Sequence, residues 1–236
     1  TITFKGLTSS INTYYLEKEL KFGNIKAQKQ YNFLNKTEYE YPKIKQLIDS
    51  VTREELNYLR NYNASPKFSK KFIQLEEAEI TYESESIKLN LPFSRRLAGN
   101  RPDVQDTYFD YLDHLNIDNH DASFSKNYFW FIDQYLRFKY DIEYLRQISR
   151  SEAAKNFGME KINVASDKLS GFNGDVYKLS SFCSFLPYYK NDLAIDSITE
   201  KLNLSEYHQL IKKVKTSIDE KNGLAKISAG DIVPEF

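Results

Sequence analysis

Phe124-Ser125-Lys126-Asn127-Tyr128-Phe129-Trp130-Phe131-Ile132-Asp133-Gln134-Tyr135-Leu136-Arg137-Phe138-Lys139-Tyr140-Asp141-Ile142-Glu143-Tyr144-Leu145 is the stretch that decides the fold class. Its apolar and aromatic residues fall at Phe124, Tyr128, Phe131, Tyr135, Phe138, Ile142 and Leu145, in alternating steps of four and three. That spacing stacks side chains on one helical face. Asp121 or Ser123 stands where a side-chain oxygen can accept from the free amides of the first turn. Trp130 and Leu136 are expected to widen the buried arc and make this helix central.

The same reading extends in both directions. Ser65-Pro66 pairs a capping Ser with Pro at the first helical position, where the missing amide proton costs nothing. The helix it opens carries two stripes, Phe68, Phe72, Leu75 and Tyr82 on one and Ile73, Ile80, Ile87 and Leu91 on the other. At about 100° per residue the stripes lie about 120° apart, so this helix should touch neighbours on two sides. Glu76, Glu77, Glu79, Glu83 and Glu85 are expected to fill its solvent side. Pro92 and Gly99-Asn100-Arg101-Pro102 mark a mid-chain loop.

An earlier helix is expected from Ser9 or Ser10 through Tyr15, Leu16 and Leu20 towards Leu34, with a kink at Gly23. Another follows Pro42 and restarts at Thr52-Arg53-Glu54-Glu55, which has the form of a capping box. Between Leu145 and Asn203 the pattern is broken by Gly158, Gly171, Gly174 and Pro187. A last helix, capped by Ser205 and ended by Gly223, presents Tyr207, Ile211, Val214 and Ile218. Only Thr1-Ile2-Thr3-Phe4 alternates at period two. The fold expected is all-α, an irregular multi-helix bundle of about seven to nine helices, with short extended segments at both termini.

Composition agrees. Among 236 residues there are only 8 Gly and 6 Pro, too few for the many turns of an all-β chain. Aromatic residues make up 15%, so much of the core must be ring packing. Lys and Arg number 33 against 33 Asp and Glu, which gives no cationic face for nucleic acid. No run approaches the ~18 apolar residues of a membrane span, and no signal peptide is visible. With Met159 as the only Met, Thr1 is expected to begin a processed or trimmed piece.

The residues that could carry chemistry have plainer uses. Cys183 is the only cysteine, so neither an internal disulfide nor a C-x-x-C pair can form, and Phe182 and Phe185 mark it as a small buried hydrophobe. His114, Asp118, His120 and Asp121 crowd one loop. Yet Asp118-Asn119-His120-Asp121 lacks the Gly and closing Glu of a calcium loop, and no second His stands four residues along a helix face. Turn formation and helix capping account for the same residues. No catalytic, cofactor or metal residues are assigned.

Four landmarks carry a resemblance. Phe4-Lys5-Gly6 precedes Asn12-Thr13-Tyr14-Tyr15-Leu16; Phe68 and Phe72 lead to Ile80 and Tyr82; Phe124-Ser125-Lys126-Asn127-Tyr128-Phe129-Trp130-Phe131 opens the central helix; and Gly230-Asp231-Ile232-Val233-Pro234-Glu235-Phe236 places Gly, Pro and Phe as G-x-x-x-P-x-F. Together they resemble the helical region that precedes the thioredoxin-like domain in TlpA-like thiol–disulfide reductases, the last of them resembling that domain's entry strand. The resemblance implies a helical domain over 1–223, then a linker and the start of a thioredoxin-like domain over 224–236. It implies a non-catalytic accessory role, a parent facing the periplasm or held at the cell envelope, and C-x-x-C cysteines beyond Phe236.

Under this reading the partner is the thioredoxin-like domain of the same parent, with other protein partners or a homodimer open. The docking surface is expected around Tyr207, Ile211 and Ile218. A second reading makes the chain a secreted glycan- or peptide-binding module that uses exposed rings, with Tyr39, Tyr41, Tyr188 and Tyr189 as candidates because they flank Pro42 and Pro187.

Overall fold

The computed structural model describes residues 8–23, 40–64, 67–97, 106–139, 150–185, 200–202, 208–213 and 216. Every regular element among them is helical, so the chain is an all-α multi-helix protein, as expected. It divides into two compact units: Thr1–Asn116 with Asp121–Gln134, and Ile117–His120 with Tyr135–Phe236. The one boundary placed from sequence, at residue 223, lies outside the described residues, as do Thr1–Phe4 and 224–236.

In the first unit α1 (Ser9–Lys18) runs on into a single π turn, Glu19–Gly23. α2 (Tyr41–Arg60) and α3 (Lys70–Leu97) pack along each other. α3 is buried on two sides, as its two stripes require. One side is the stripe Ile73, Ile80, Ile87 and Leu91, which spans two cores: Ile73 and Ile80, joined by Phe72 of the other stripe, pack with Tyr14 and Leu59, and Ile87 and Leu91 pack with Tyr41, Ile44 and Ile48. Tyr82 meets α4 (Lys126–Lys139) through Tyr128 and Phe131, with ring centroids 4.9 and 5.6 Å away.

Several boundaries differ from the sequence reading, each for a local reason. α3 begins at Lys70, because Ser69 Oγ accepts from the Phe72 amide at 3.1 Å; Ser65 and Pro66 lie outside the described residues. α2 does not restart at Thr52, whose hydroxyl bonds back to the Ile48 carbonyl (2.9 Å) and contacts Ser84 Oγ of α3 (2.7 Å). α4 is capped by Ser125, which accepts from the Tyr128 amide at 3.0 Å, rather than by Asp121 or Ser123. Trp130 is 61% exposed, since it points about 200° around the helix from Tyr128, whereas Leu136 is fully buried.

Pro92 does not end α3, which continues to Leu97. A proline lacks the amide that would serve the carbonyl four residues earlier. That carbonyl belongs to Lys88, and the Tyr108 hydroxyl donates to it at 2.8 Å. Tyr108 lies on a 3-10 segment, Asp106–His114, and packs on Tyr41 with ring centroids 5.3 Å apart and planes tilted by 58°. The lost backbone bond is replaced from outside the helix.

The second unit contains α5 (Arg150–Lys168) and α6 (Gly171–Phe185), which pack on each other across the two-residue link Leu169-Ser170. Gly158 does not interrupt α5. Gly171 does mark the corner, at φ 49°, a left-handed angle that glycine adopts without Cβ strain. The core here is partly ionic: Lys178 and Asp175, 2% and 0% exposed, pair at 2.9 Å, and Lys178 also donates to the Lys201 carbonyl.

Tyr14 is fully buried and ringed by Tyr58, Tyr62, Phe68 and Phe72. Tyr14→Ala should lower stability by about 3–5 kcal/mol in urea unfolding, as for other large-to-small aromatic deletions. Tyr14→Phe, which keeps the ring and removes only the hydroxyl, should lower it by about 1–3 kcal/mol.

Candidate functional site

α1 has one buried side chain, Tyr14, and little aliphatic surface to press onto its neighbours. Polar contacts converging on α3 hold it instead. Glu76, 2% exposed, accepts from Tyr14 Oη (3.2 Å), Tyr15 Oη (2.9 Å) and Lys18 Nζ (2.5 Å). A carboxylate this far from water needs charge and hydrogen bonds around it, and α1 supplies both. Of the five glutamates expected to face solvent, Glu76 and Glu85 are buried; Glu77 pairs with Arg60 at 2.7 Å, and Glu79 accepts from the Lys126 amide at 2.6 Å. Burial first, then the Glu76 charge, raises the Tyr14 and Tyr15 hydroxyls far above the ordinary phenol range.

With α1 fixed this way, its outer edge and the last turns of α2 enclose an open groove of about 530 Å3. Glu17 and Lys21 line one wall, four residues apart across the start of the π turn. Glu54, Asn57, Tyr58 and Asn61 line the other, at the spacing of a single helical face. Tyr62 and Asn63 close its end. Tyr58 Oη donates to Glu17 at 3.2 Å, and the Lys21 ammonium lies 4.6 Å from the centre of the Tyr58 ring. Burial, followed by the hydrogen bond to Glu17 and its charge, pushes the Tyr58 phenol up to about 12. Tyr62 is raised for the same reasons.

Gly23 closes the π turn, and a Cβ there would stand 2.1 Å from Glu19 Oε1. π turns inside helices are common at binding sites. This one buries Phe22 and carries Lys21 to the groove.

Other polar constellations are structural. Lys88, with its side chain 5% exposed, bridges Asp49 and Glu85 at 2.8 Å each, while Lys45 and Lys88 lie 4.4 and 4.7 Å from the Tyr111 ring centre. Burial raises the Glu85 carboxyl against the pull of Lys88. Asp118, His120 and Ser170 come together, yet not as a nucleophile triad. In such a triad the acid holds the ring nitrogen remote from the serine. Here Asp118 and Ser170 both approach His120 Nε2, at 3.7 and 3.3 Å, and Ser170 Oγ donates to Asp118 at 2.5 Å. Asp118 also accepts from the Ser170 amide at 3.1 Å, tying its loop to the start of α6. Among the described residues no group of three or more metal-ligating side chains converges. Cys183 is half-buried on α6, and burial pushes its thiol up.

Of the expected docking residues, Ile211 is 1% exposed and so contributes no exposed apolar patch; Tyr207 and Ile218 lie outside the described residues. Of the expected ring platforms, Tyr41 is buried against Tyr108, and Tyr39, Tyr188 and Tyr189 lie outside the described residues. The sequence reading missed the groove. Its signal was available in Glu17 with Lys21 at i, i+4, and in Glu54, Asn57, Tyr58 and Asn61 at i, i+3, i+4 and i+7. No protein-family model, no curated protein and no solved structure matches the chain.

The raised tyrosines set the alkaline behaviour. An unfolded phenol ionises near pH 10, whereas Tyr14, Tyr15 and Tyr58 keep their protons to higher pH when folded. The native state therefore binds more protons than the unfolded one above about pH 10, and stability falls as pH rises through that range. Absorbance at 295 nm should show a class of tyrosines that ionises only together with loss of helical circular dichroism. Smooth titration of every tyrosine with helicity intact would contradict the assignment.

Proposed function

We propose that this chain is a non-catalytic helical accessory domain of a TlpA-like thiol–disulfide oxidoreductase, periplasmic or held at the cell envelope. In that role it positions a thioredoxin-like redox domain or makes contacts with partner proteins or a second copy. The supporting observation is where the landmark residues meet. Tyr14, Phe68, Phe72 and Ile80 pack in one core, and Tyr82 packs on Tyr128 and Phe131. The described part of three landmarks thus packs within one helical unit, while Phe4-Lys5-Gly6 and Gly230–Phe236 lie outside the described residues. A Cys183 thiol held up by burial is consistent with a chain that relies on cysteines elsewhere for exchange.

A second reading, a module that binds a glycan or a peptide, is favoured by the open groove beside the π turn.

Expression of the natural gene product at full length tests the first reading. Insulin reduction is expected to depend on a C-x-x-C pair outside residues 1–223, with none from residues 1–236 alone. A full-length product without such a pair, or turnover by 1–236 that disappears in Cys183→Ser, contradicts it.

A further inference from the structure

The groove discriminates among ligands by what it leaves exposed. Sugars are held by stacking on open aromatic faces together with hydrogen bonds. The rings here are already engaged: Tyr58 stacks on Tyr14 with centroids 5.8 Å apart and planes 18° apart, and it carries the Lys21 ammonium over its ring. Tyr62 stacks on Phe68 at 5.5 Å with planes 3° apart. Beside these rings the groove is lined by side-chain amides and carboxylates.

These polar groups have a direction. Glu54 has no ion-pair or hydrogen-bond partner for its carboxylate among the described residues, and the side chains of Asn57 and Asn63 are likewise unengaged. Asn61 Nδ2 donates to the Asn57 carbonyl at 2.8 Å, which leaves its oxygen for other donors. Carboxamides offer both a donor and an acceptor, the match for a peptide backbone. Charge selects the side chain: two carboxylates, Glu17 and Glu54, line the groove with one ammonium, Lys21. Lys21 itself shows that an alkylammonium is accommodated against these rings.

We propose that this groove binds an extended peptide segment bearing a lysine or arginine, whose charge pairs with Glu54 while the Asn57 and Asn63 carboxamides bond its backbone. The proposal rests on the second functional reading and narrows it to basic peptides. Glu54 lies on the exposed side of α2, so its replacement leaves both cores of this unit untouched.

Calorimetric titration of the 236-residue chain with capped, unstructured hexapeptides tests it, with one central residue set to Lys, Gln or Glu, and with a chitooligosaccharide as the sugar probe. The Lys peptide should bind about fivefold more tightly than the Gln peptide, the scale of one partly exposed charge pair. Glu54→Gln should erase that preference, Asn57→Ala should weaken both peptides alike, and added salt should reduce only the Lys advantage. Equal affinity for Lys and Gln peptides, or a Lys preference that survives Glu54→Gln, overturns the proposal. Binding of the sugar in preference to all peptides overturns it and leaves the second functional reading standing. No binding of any probe overturns both.

Discussion

Placing Glu76 out of water is the constraint around which the first unit is organised. A buried carboxylate is tolerated only when donors and a counter-charge are brought to it, and three residues of α1 do so. Because α1 buries one side chain alone, this polar clamp does for α1 what an apolar stripe does for α2 and α3. The same clamp fixes the edge of α1 that carries Glu17 and leads into the π turn with Lys21. The groove therefore inherits its geometry from a hydrogen-bonded core.

The pattern recurs. Lys88 sits between Asp49 and Glu85, and the Lys88 carbonyl is served by Tyr108 where Pro92 cannot. In the second unit Asp175 and Lys178 pair deep inside α6, and Asp118 holds the Ser170 corner. With few glycines and many tyrosines, the chain uses phenols and lysines as fitted struts. Each is secure while its partners are present and costly when one is removed.

Helical class and the two-sided burial of α3 were legible because they depend on spacing, which side-chain chemistry modulates little. Phe72, Ile80 and Tyr128 were legible as core positions for the same reason, whereas the first helix, read through Tyr15, Leu16 and Leu20, buries Tyr14 and leaves Tyr15 and Leu20 exposed. Glu76 was not: in a helix of Lys and Glu a buried carboxylate looks like its solvated neighbours until the donors from α1, about sixty residues earlier, are in place. The survival of α3 past Pro92 likewise depends on a tertiary partner, a single hydroxyl, whereas the exposure of Trp130 follows from its place opposite the Tyr128 face and was within reach of the spacing. The groove escaped notice because its two walls come from separate helices, each with unremarkable polar residues.

Native-state hydrogen exchange in Glu76→Ala tests the central role of the clamp most directly, since it reads each helix separately. If Glu76 is what holds α1, the amides of Ser9–Lys18 lose most of their protection in the variant, while those of the α2–α3 pair keep theirs to within the global change in stability. Unchanged protection across α1, or a uniform loss over all three helices, would contradict the account.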